Sequence, residues 1–252
     1  MNSKVISIKK PLSTCRSNYI DVSEYPKRKE ILDGVASFII REKQKQPVPK
    51  KLFIGIEGFD ASGKSSFIIN ELMPHLQLLG VHNVLVKGDW SMIDKSIREA
   101  DDRLFMDYIT WFDYDVLLPT WLNQLYAPGL VDITLNNLYN QATEKREAIE
   151  RIIIDDNSIV IVDGLFLNLP SVRPFIDKTI YFSITEEESL NRQRKRDVVM
   201  MGRPLEKVEF MVQNIFLPWH RKYNYEQLPK ERSSIMIDHN SFSKPYFIKY
   251  PK

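Results

Sequence analysis

Gly58-Phe59-Asp60-Ala61-Ser62-Gly63-Lys64-Ser65 follows the pattern G-x-x-x-x-G-K-[ST] without relaxation. Such a loop works in one setting only. Its glycines let the backbone curl so that successive N–H groups converge on an anion. It must be fed by a strand and must open a helix whose N-terminus carries partial positive charge toward the same anion. Both flanks are present. Leu52–Ile56 is a short apolar run, and Phe67, Ile68, Leu72, Leu76 and Leu79 fall at helical spacing before Gly80, a C-cap. Pro74 interrupts that pattern and predicts a kink or a shifted boundary. A chance match in a chain of this length arises roughly once in a hundred sequences, and the flanks make it rarer. Lys64 is placed to reach the β- and γ-phosphates of a nucleoside triphosphate and the Ser65 hydroxyl to ligate Mg²⁺. Gly58, Phe59, Asp60, Ala61, Ser62, Gly63 and Ser66 complete the phosphate-binding set.

Four further apolar runs accompany Leu52–Ile56: Val84–Val86, Ile159–Val162, Thr179–Ile184 and Ile235–Ile237. None alternates with polar residues, so each suits a strand buried on both faces of a parallel sheet. Helical stretches lie between them, and Glu30–Ile40 puts Ile31, Leu32, Val35, Phe38 and Ile39 on one side. Strand and helix in alternation predict an α/β fold of three layers with a five-stranded parallel sheet. Residues 41–51, with Arg41, Lys43, Lys45, Lys50 and Lys51 against Glu42 alone, plus Pro47 and Pro49, read as a solvated linker. Residues 1–26 read as an N-terminal extension in which Val5 and Ile6 offer an edge strand, and residues 27–252 as a single domain.

Composition excludes several functions. The 35 Lys+Arg and 33 Asp+Glu leave a net charge of +2, too even for a nucleic-acid partner held by bulk electrostatics. Cys15 is the sole cysteine, which rules out an intrachain disulfide and points to the reducing cytoplasm. No apolar run approaches the ~18–20 residues that cross a bilayer, and MNSKVISIKKPLSTC lacks the apolar stretch of a signal peptide. Neither nucleic acid nor membrane is expected as a partner.

Two more constellations fit the phosphate loop. Ile159–Val162 ends in Asp163-Gly164, and a carboxylate at the carboxyl tip of a buried strand is where such a protein holds Mg²⁺ (the Walker B role). The basic stretch Leu190–Asp197, followed by Gly202 and Arg203, offers Arg192, Arg196 and Arg203 to a transferring phosphoryl group. A mobile segment carrying them would also exclude water, as a kinase requires.

Together these residues resemble the uridine kinase and phosphoribulokinase group of P-loop small-molecule kinases, which includes nicotinamide riboside kinase. The resemblance covers residues 28–238. It rests on the helix at Arg28–Ile40, the phosphate loop Gly58–Ser65, Val162-Asp163-Gly164-Leu165-Phe166, and the lid signature Arg196-Asp197 with Gly202-Arg203. Phe216-Leu217-Pro218-Trp219-His220 and the strand at Ser234–Ile237 fall in family positions as well. It implies a P-loop NTPase fold with a helical lid at about 190–204 and a helical acceptor-side insertion at about 92–140. It also implies transfer of a γ-phosphoryl group from ATP or GTP, with Mg²⁺, to a hydroxyl of a nucleoside or another ribosyl or polyol compound. The choice of nucleotide and the oligomeric state, including a homo-oligomer, stay open.

One departure concerns the base. The family usually shows an acidic residue, a variable residue and then Phe after the second strand, whereas Lys87-Gly88-Asp89-Trp90 carries Gly at the acidic position. Asp89 is the nearest carboxylate and is the expected proton acceptor beside the catalytic Lys64, Arg196 and Arg203, with Arg192 on the nucleotide. Asp113 and Asp115 are reserves. Tyr114-Asp115-Val116-Leu117 is similar to the family segment whose aspartate holds ribose hydroxyls. Trp90, Tyr114 and Tyr139 are expected beside these carboxylates as acceptor-pocket residues, whereas most of the aromatic stretch Ala100–Asn137 (Phe105, Tyr108, Trp111, Phe112, Tyr114, Trp121 and Tyr126) reads as core packing of a helical insertion. His220, helix-borne and distant in sequence, is expected to be structural. A kinase for another alcohol, such as a vitamin precursor or an antibiotic, is the nearest alternative reading. A nucleotide-dependent switch is the other.

Overall fold

Strands that are apolar on both faces need cover on both, and the arrangement of this chain supplies it. The computed structural model describes residues 22–100 and 108–251. Its first half runs through helix α1 (Pro26–Gln44), strand β1 (Leu52–Gly58), helix α2 (64–78), β2 (Asn83–Lys87), α3 (Lys95–Ala100) and α4 (Leu117–Tyr126). Strands β3 (Val131–Asn140), β4 (Lys145–Ile154), β5 (Ile159–Asp163) and β6 (Lys178–Ser183) follow. Helices α5 (186–200) and α6 (205–227) then lead to β7 (Ile235–Asp238) and β8 (Tyr246–Lys249). The main sheet has the order β2-β5-β1-β6-β7-β8. Its first five strands are parallel and correspond to the five apolar runs of the sequence. Strand β8 adds an antiparallel edge that the sequence reading did not anticipate.

Alternation along each strand sends side chains to two separate cores. Leu52, Ile54, Ile56, Ile159 and Ile161 pack under α1 and α2 with Ile31, Val35, Phe38, Phe67 and Leu72. Phe53, Val86, Val160 and Val162 pack on the opposite face with Leu118, Trp121, Leu122, Ile215 and Tyr223. The anticipated face of α1 is the buried one. Helix α2 absorbs Pro74 by a local change of pitch. A π-type segment, Ile68–Leu72, precedes an α segment, Met73–Leu78, that carries the proline in its first turn, where no N–H is needed. Helix α6 treats Pro218 in the same way. Gly80 closes α2 in the left-handed conformation, as its position predicts.

Two expectations are corrected. The acceptor-side insertion is not helical throughout: α3 and α4 are helices, but 131–154 form an antiparallel hairpin, β3–β4. Val131, Leu135, Leu138, Ala148, Ile152 and Ile154 turn inward from it, an alternation obscured by the irregular register between Leu135 and Tyr139. The basic segment 41–51 is not simply solvated either. Helix α1 continues to Gln44, and Lys51 is buried, donating to the carbonyls of Ala127 and Gly129 and pairing with Asp156 at 3.2 Å. The expected edge strand at Val5–Ile6, and Phe105, lie outside the described residues. Among the described residues no helix is long and apolar enough to cross a membrane.

A buried charge ties α1 to α2. The Arg28 guanidinium holds Glu71 through two hydrogen bonds, Nε to Oε2 at 2.8 Å and Nη2 to Oε1 at 2.5 Å. Its Nη1 lies 2.9 Å from His239 Nε2 and donates to the Phe242 carbonyl at 3.1 Å. Burial pushes the Glu71 carboxyl above its usual range against the opposing pull of Arg28. Arg28→Met strands that carboxylate, and urea unfolding should show a loss of about 3–5 kcal/mol. The double variant Arg28→Met/Glu71→Leu should recover most of it. An equal loss in both variants would mean that packing, not the charge pair, is what matters there.

Candidate active site

The strand order β2-β5-β1 brings three carboxyl ends together. Asp163, the last residue of β5, is in register with Ile56 on one side and Lys87 on the other. The phosphate loop therefore leaves β1, and Gly88-Asp89 leaves β2, on either side of Asp163. Asp60, the loop residues through Ser66, Asp89 and Asp163 line one continuous cavity of about 780 Å³.

Within the loop, Gly63 has φ +86°, and a Cβ there would meet His239 Cε1 at 2.8 Å. Its neighbour Ser62 donates nothing through its buried hydroxyl, but its carbonyl is gripped from two sides. His239 Nδ1 lies 2.6 Å from it and Arg192 Nη1 donates to it at 3.2 Å. Arg192 also donates to Glu188 and to the carbonyls of Ala61, His239 and Asn240. All its N–H groups are engaged, so the guanidinium braces the loop, and it also lines the cavity in which the nucleotide is expected. Lys64 is buried, and its Nζ reaches the Phe59 carbonyl at 3.5 Å.

His220, expected to be structural, comes to the loop across 160 residues of sequence. Its ring stacks on Phe59 with centroids 4.1 Å apart, and Nε2 lies 3.2 Å from Asp60 Oδ2. Burial alone would raise the Asp60 carboxyl; the His220 contact, Lys64 and Arg196 outweigh it and hold the group below its usual range. At the end of β1, buried Glu57 accepts from Tyr223 Oη, the Leu167 amide and Asn168 Nδ2, which fixes α6 to the loop that follows β5. Burial pushes that carboxyl up to about 7.

The metal candidates fit a hard divalent ion. Asp163 Oδ1 is buried with no hydrogen-bond partner, and Ser65 lines the same cavity. Among the described residues no group of three or more His, Cys, Asp and Glu forms a closed cage. An open pair of oxygen donors, completed by phosphate oxygens and water, is how Mg²⁺ is commonly held.

Lid residues Arg196 and Arg203 also line the cavity, and both are organised by Asp197. Arg196 donates to its carboxylate at 2.6 Å, and Arg203 Nη1 lies 3.8 Å from it. Gly202, at φ +66°, turns the chain so that the Arg203 amide returns to the Asp197 carbonyl at 2.9 Å. The Arg-Asp and Gly-Arg pairs of the sequence are thus one device, and the role of Asp197 within it was missed.

On the acceptor side the expected set divides. Asp89 and Tyr139 line the cavity; Trp90, Tyr114 and Asp115 do not. Trp90 and Tyr114 are buried in the core behind the wall, and Asp115 is exposed. Asp113 is spent on the amides of Val116 and Leu117 at the start of α4. The residues that form the wall instead are Met92, Lys95, Arg98, Trp111, Phe112 and, from the hairpin, Gln141 and Glu144. Gln141 Nε2 donates to Asp89 Oδ2 at 3.3 Å. Burial in the wall, then the facing charge of Asp163, push the Asp89 carboxyl up to about 6. No local signal marked Arg98 or Gln141, because the hairpin that completes their surroundings was not recognised.

Gly88 has a steric cause. A Cβ at that position would stand 2.2 Å from Tyr114 Oη, a buried hydroxyl with no partner. The phenol fills the space that any side chain at 88 would need. Gly88→Ala should therefore destabilise by about 1–3 kcal/mol, and adding Tyr114→Phe should restore most of the melting temperature. A double variant no more stable than Gly88→Ala would disprove this packing.

His239 gives a second prediction. Burial, then the Arg28 charge, push its imidazole down to about 4, with Arg192 adding to and Asp238 opposing the shift. The folded state keeps the ring neutral while the unfolded chain protonates near 6.5. Stability present at pH 7 is thus lost as the pH falls through 6.5 toward 4, by about 2 kcal/mol at pH 5. Urea unfolding at pH 7 and pH 5 should show this loss in the wild type and a smaller one in His239→Gln.

No protein-family model matches the chain. It is 30% identical over 167 residues to the uridine kinase of Tolumonas auensis, spanning 64% of this chain and 74% of that one. Identity to the uridine kinase of Vibrio atlanticus is 27% over 179 residues, 68% of this chain and 80% of that one. Among solved structures, a possible uridine kinase from Bacillus stearothermophilus superposes with a TM-score of 0.59 over 82% of this chain and 98% of that one, at 18% identity, a likeness of fold. With its phosphate loop, Asp163, Arg196 and Arg203 set around one cavity, the chain belongs to the uridine kinase family of P-loop kinases and is an ATP-dependent small-molecule kinase.

Proposed function

We propose that the protein transfers the γ-phosphoryl group of ATP, with Mg²⁺, to a hydroxyl of a nucleoside or another ribosyl or polyol compound. Residues 27–252 act as one kinase domain, with the lid at about 190–204 closing over the nucleotide, in the reducing cytoplasm. The observation that supports this best is the shared cavity, which holds a complete phosphate site and, separately, an aromatic and polar wall around Asp89.

In the step itself the acceptor oxygen bonds to the γ-phosphorus, and the bond from that phosphorus to the β,γ-bridging oxygen breaks. The hydroxyl proton passes to the Asp89 carboxylate, and ADP leaves. Lys64 and the loop amides hold the phosphates, while Arg196 and Arg203 meet the charge that develops on the transferring group. Ser65 and Asp163 would hold Mg²⁺, whose charge neutralises the β- and γ-oxygens when it is bound. Asp60, set by His220, and Gln141, on Asp89, keep the two ends of the site in register.

Product mass, read across a panel of alcohols incubated with ATP and Mg²⁺, tests the assignment. A phosphorylated nucleoside, sugar or polyol supports it; ATP hydrolysis with no phosphorylated alcohol would favour a nucleotide switch. Lys64→Ala should lower kcat by about 10²-fold or more with the fold intact. Asp89→Asn should lower kcat by about 10²-fold, the low end for a positioned base, because a loose phosphoryl transition state asks little of it. Near wild-type turnover in either variant would remove that residue from the reaction.

A further inference from the structure

The acceptor half of the cavity contains a cation that no carboxylate among the described residues neutralises. Arg98, on α3, is 9% exposed and lines the wall. Its guanidinium lies 4.9 Å from the ring centroid of Trp111 and 5.3 Å from that of Tyr139. Nη2 donates to Tyr139 Oη at 2.7 Å, and Nε is buried with no partner. Among the described residues no carboxylate pairs with it.

Neighbouring charges are accounted for differently. Lys95 is paired with Glu144 at 2.6 Å, so those two cancel. Arg196 and Arg203 both engage the carboxylate of Asp197. The acids of the cavity, Asp60, Asp89 and Asp163, stand at the carboxyl ends of β1, β2 and β5, where Lys64 and a divalent ion belong. Burial raises the Tyr139 hydroxyl, while the charges of Arg98, Lys95 and Arg203 oppose that shift and Glu144 adds to it, so all four groups are felt at one phenol.

A buried guanidinium without a counter-ion is costly. Stacking on aromatic faces returns only about 0.5–2 kcal/mol, whereas leaving a buried charge unpaired costs several kcal/mol. The two rings and Tyr139 Oη also hold the planar fork in one orientation, and a preorganised fork of N–H donors matches a carboxylate or a phosphate in two-point contact. A neutral diol would leave that charge unanswered.

We propose that the acceptor is an acid: a ribosyl or polyol compound that carries a carboxylate or phosphate group, docked on Arg98, and whose hydroxyl faces Asp89. This rests on the kinase reading above and narrows its substrate class. Arg98 binds the anion and takes no part in the chemical step.

The test uses paired acceptors that differ only in the acidic group: ribose against ribose 5-phosphate, glycerol against glycerate, and uridine against its 6-carboxylate, orotidine. Each is incubated with ATP, Mg²⁺ and the full chain, and product is read by mass. Wild type should phosphorylate an acid at least ten times more efficiently, in kcat/KM, than its neutral partner, and the arm that responds tells carboxylate from phosphate. Arg98→Gln should raise KM for that acid by about 10–100-fold, the worth of a charged hydrogen bond, and raise it for the neutral partner far less. Arg98→Lys, which keeps the charge and loses the fork, should fall between. Preference for the neutral partners, or an equal loss on both members of a pair, would overturn the acid reading and leave the kinase standing. No phosphorylated product from any alcohol would overturn the kinase reading itself, and this inference with it.

Discussion

Arg28 is the residue on which the geometry of the site depends most. It lies in the first helix, well before the phosphate loop, yet one guanidinium reaches Glu71 on α2, His239 after β7 and the Phe242 carbonyl. Because Arg28 donates to His239 Nε2, the imidazole proton is left on Nδ1, which faces the Ser62 carbonyl of the phosphate loop. The loop's curvature is thereby referred to three separate elements. Burial of the whole chain of contacts makes it stiff, since any break leaves a charge or a polar group unsatisfied in the interior. A loop that must point several amides at one anion gains from such stiffness, because its dipoles then need no reorganisation when charge moves during transfer.

The arginines of the chain divide by how their donors are used. Arg192 has every N–H committed to backbone carbonyls and Glu188, so it works as masonry for the loop. Arg196 and Arg203 share the carboxylate of Asp197 and line the cavity. Arg98 donates to Tyr139 and lies against two aromatic faces, and no carboxylate among the described residues pairs with it. Sequence assigned phosphate chemistry to the first three alike, since a basic stretch carries no record of which carbonyls its side chains will meet.

What was legible in the sequence follows from range. Five parallel strands were visible because continuous burial leaves a local mark, and the phosphate loop and Asp163 because each sits directly at the tip of such a strand. The hairpin β3–β4 was hidden by its irregular register and by Asn137, at φ +58°, which break the two-residue alternation where it would have been read. Missing the hairpin misplaced the acceptor wall. Trp90 and Tyr114 were chosen for nearness in sequence to carboxylates, but both point into the core, while Gln141 and Glu144 arrive from the hairpin. His220 and His239 were beyond reach in principle: their partners at the loop lie 160 and 177 residues away.

The carboxylate next to Gly88 illustrates how a site can move by one residue and survive. Residues Gly88–Ser91 form a 3₁₀ turn, in which successive side chains point about 120° apart. Position 88 faces the core and is closed by Tyr114 Oη, with the Gly164 Cα 3.4 Å from where a Cβ would stand. Position 89 faces the cavity, between Asp163 and Gln141. A single residue of offset in such a turn is the difference between a side chain that collides with a phenol and one that lines the cavity. Gly88 and Tyr114 are therefore one steric unit, and the glycine that looked like a loss of the catalytic acid is the condition for the tyrosine to occupy its place while Asp89 turns outward.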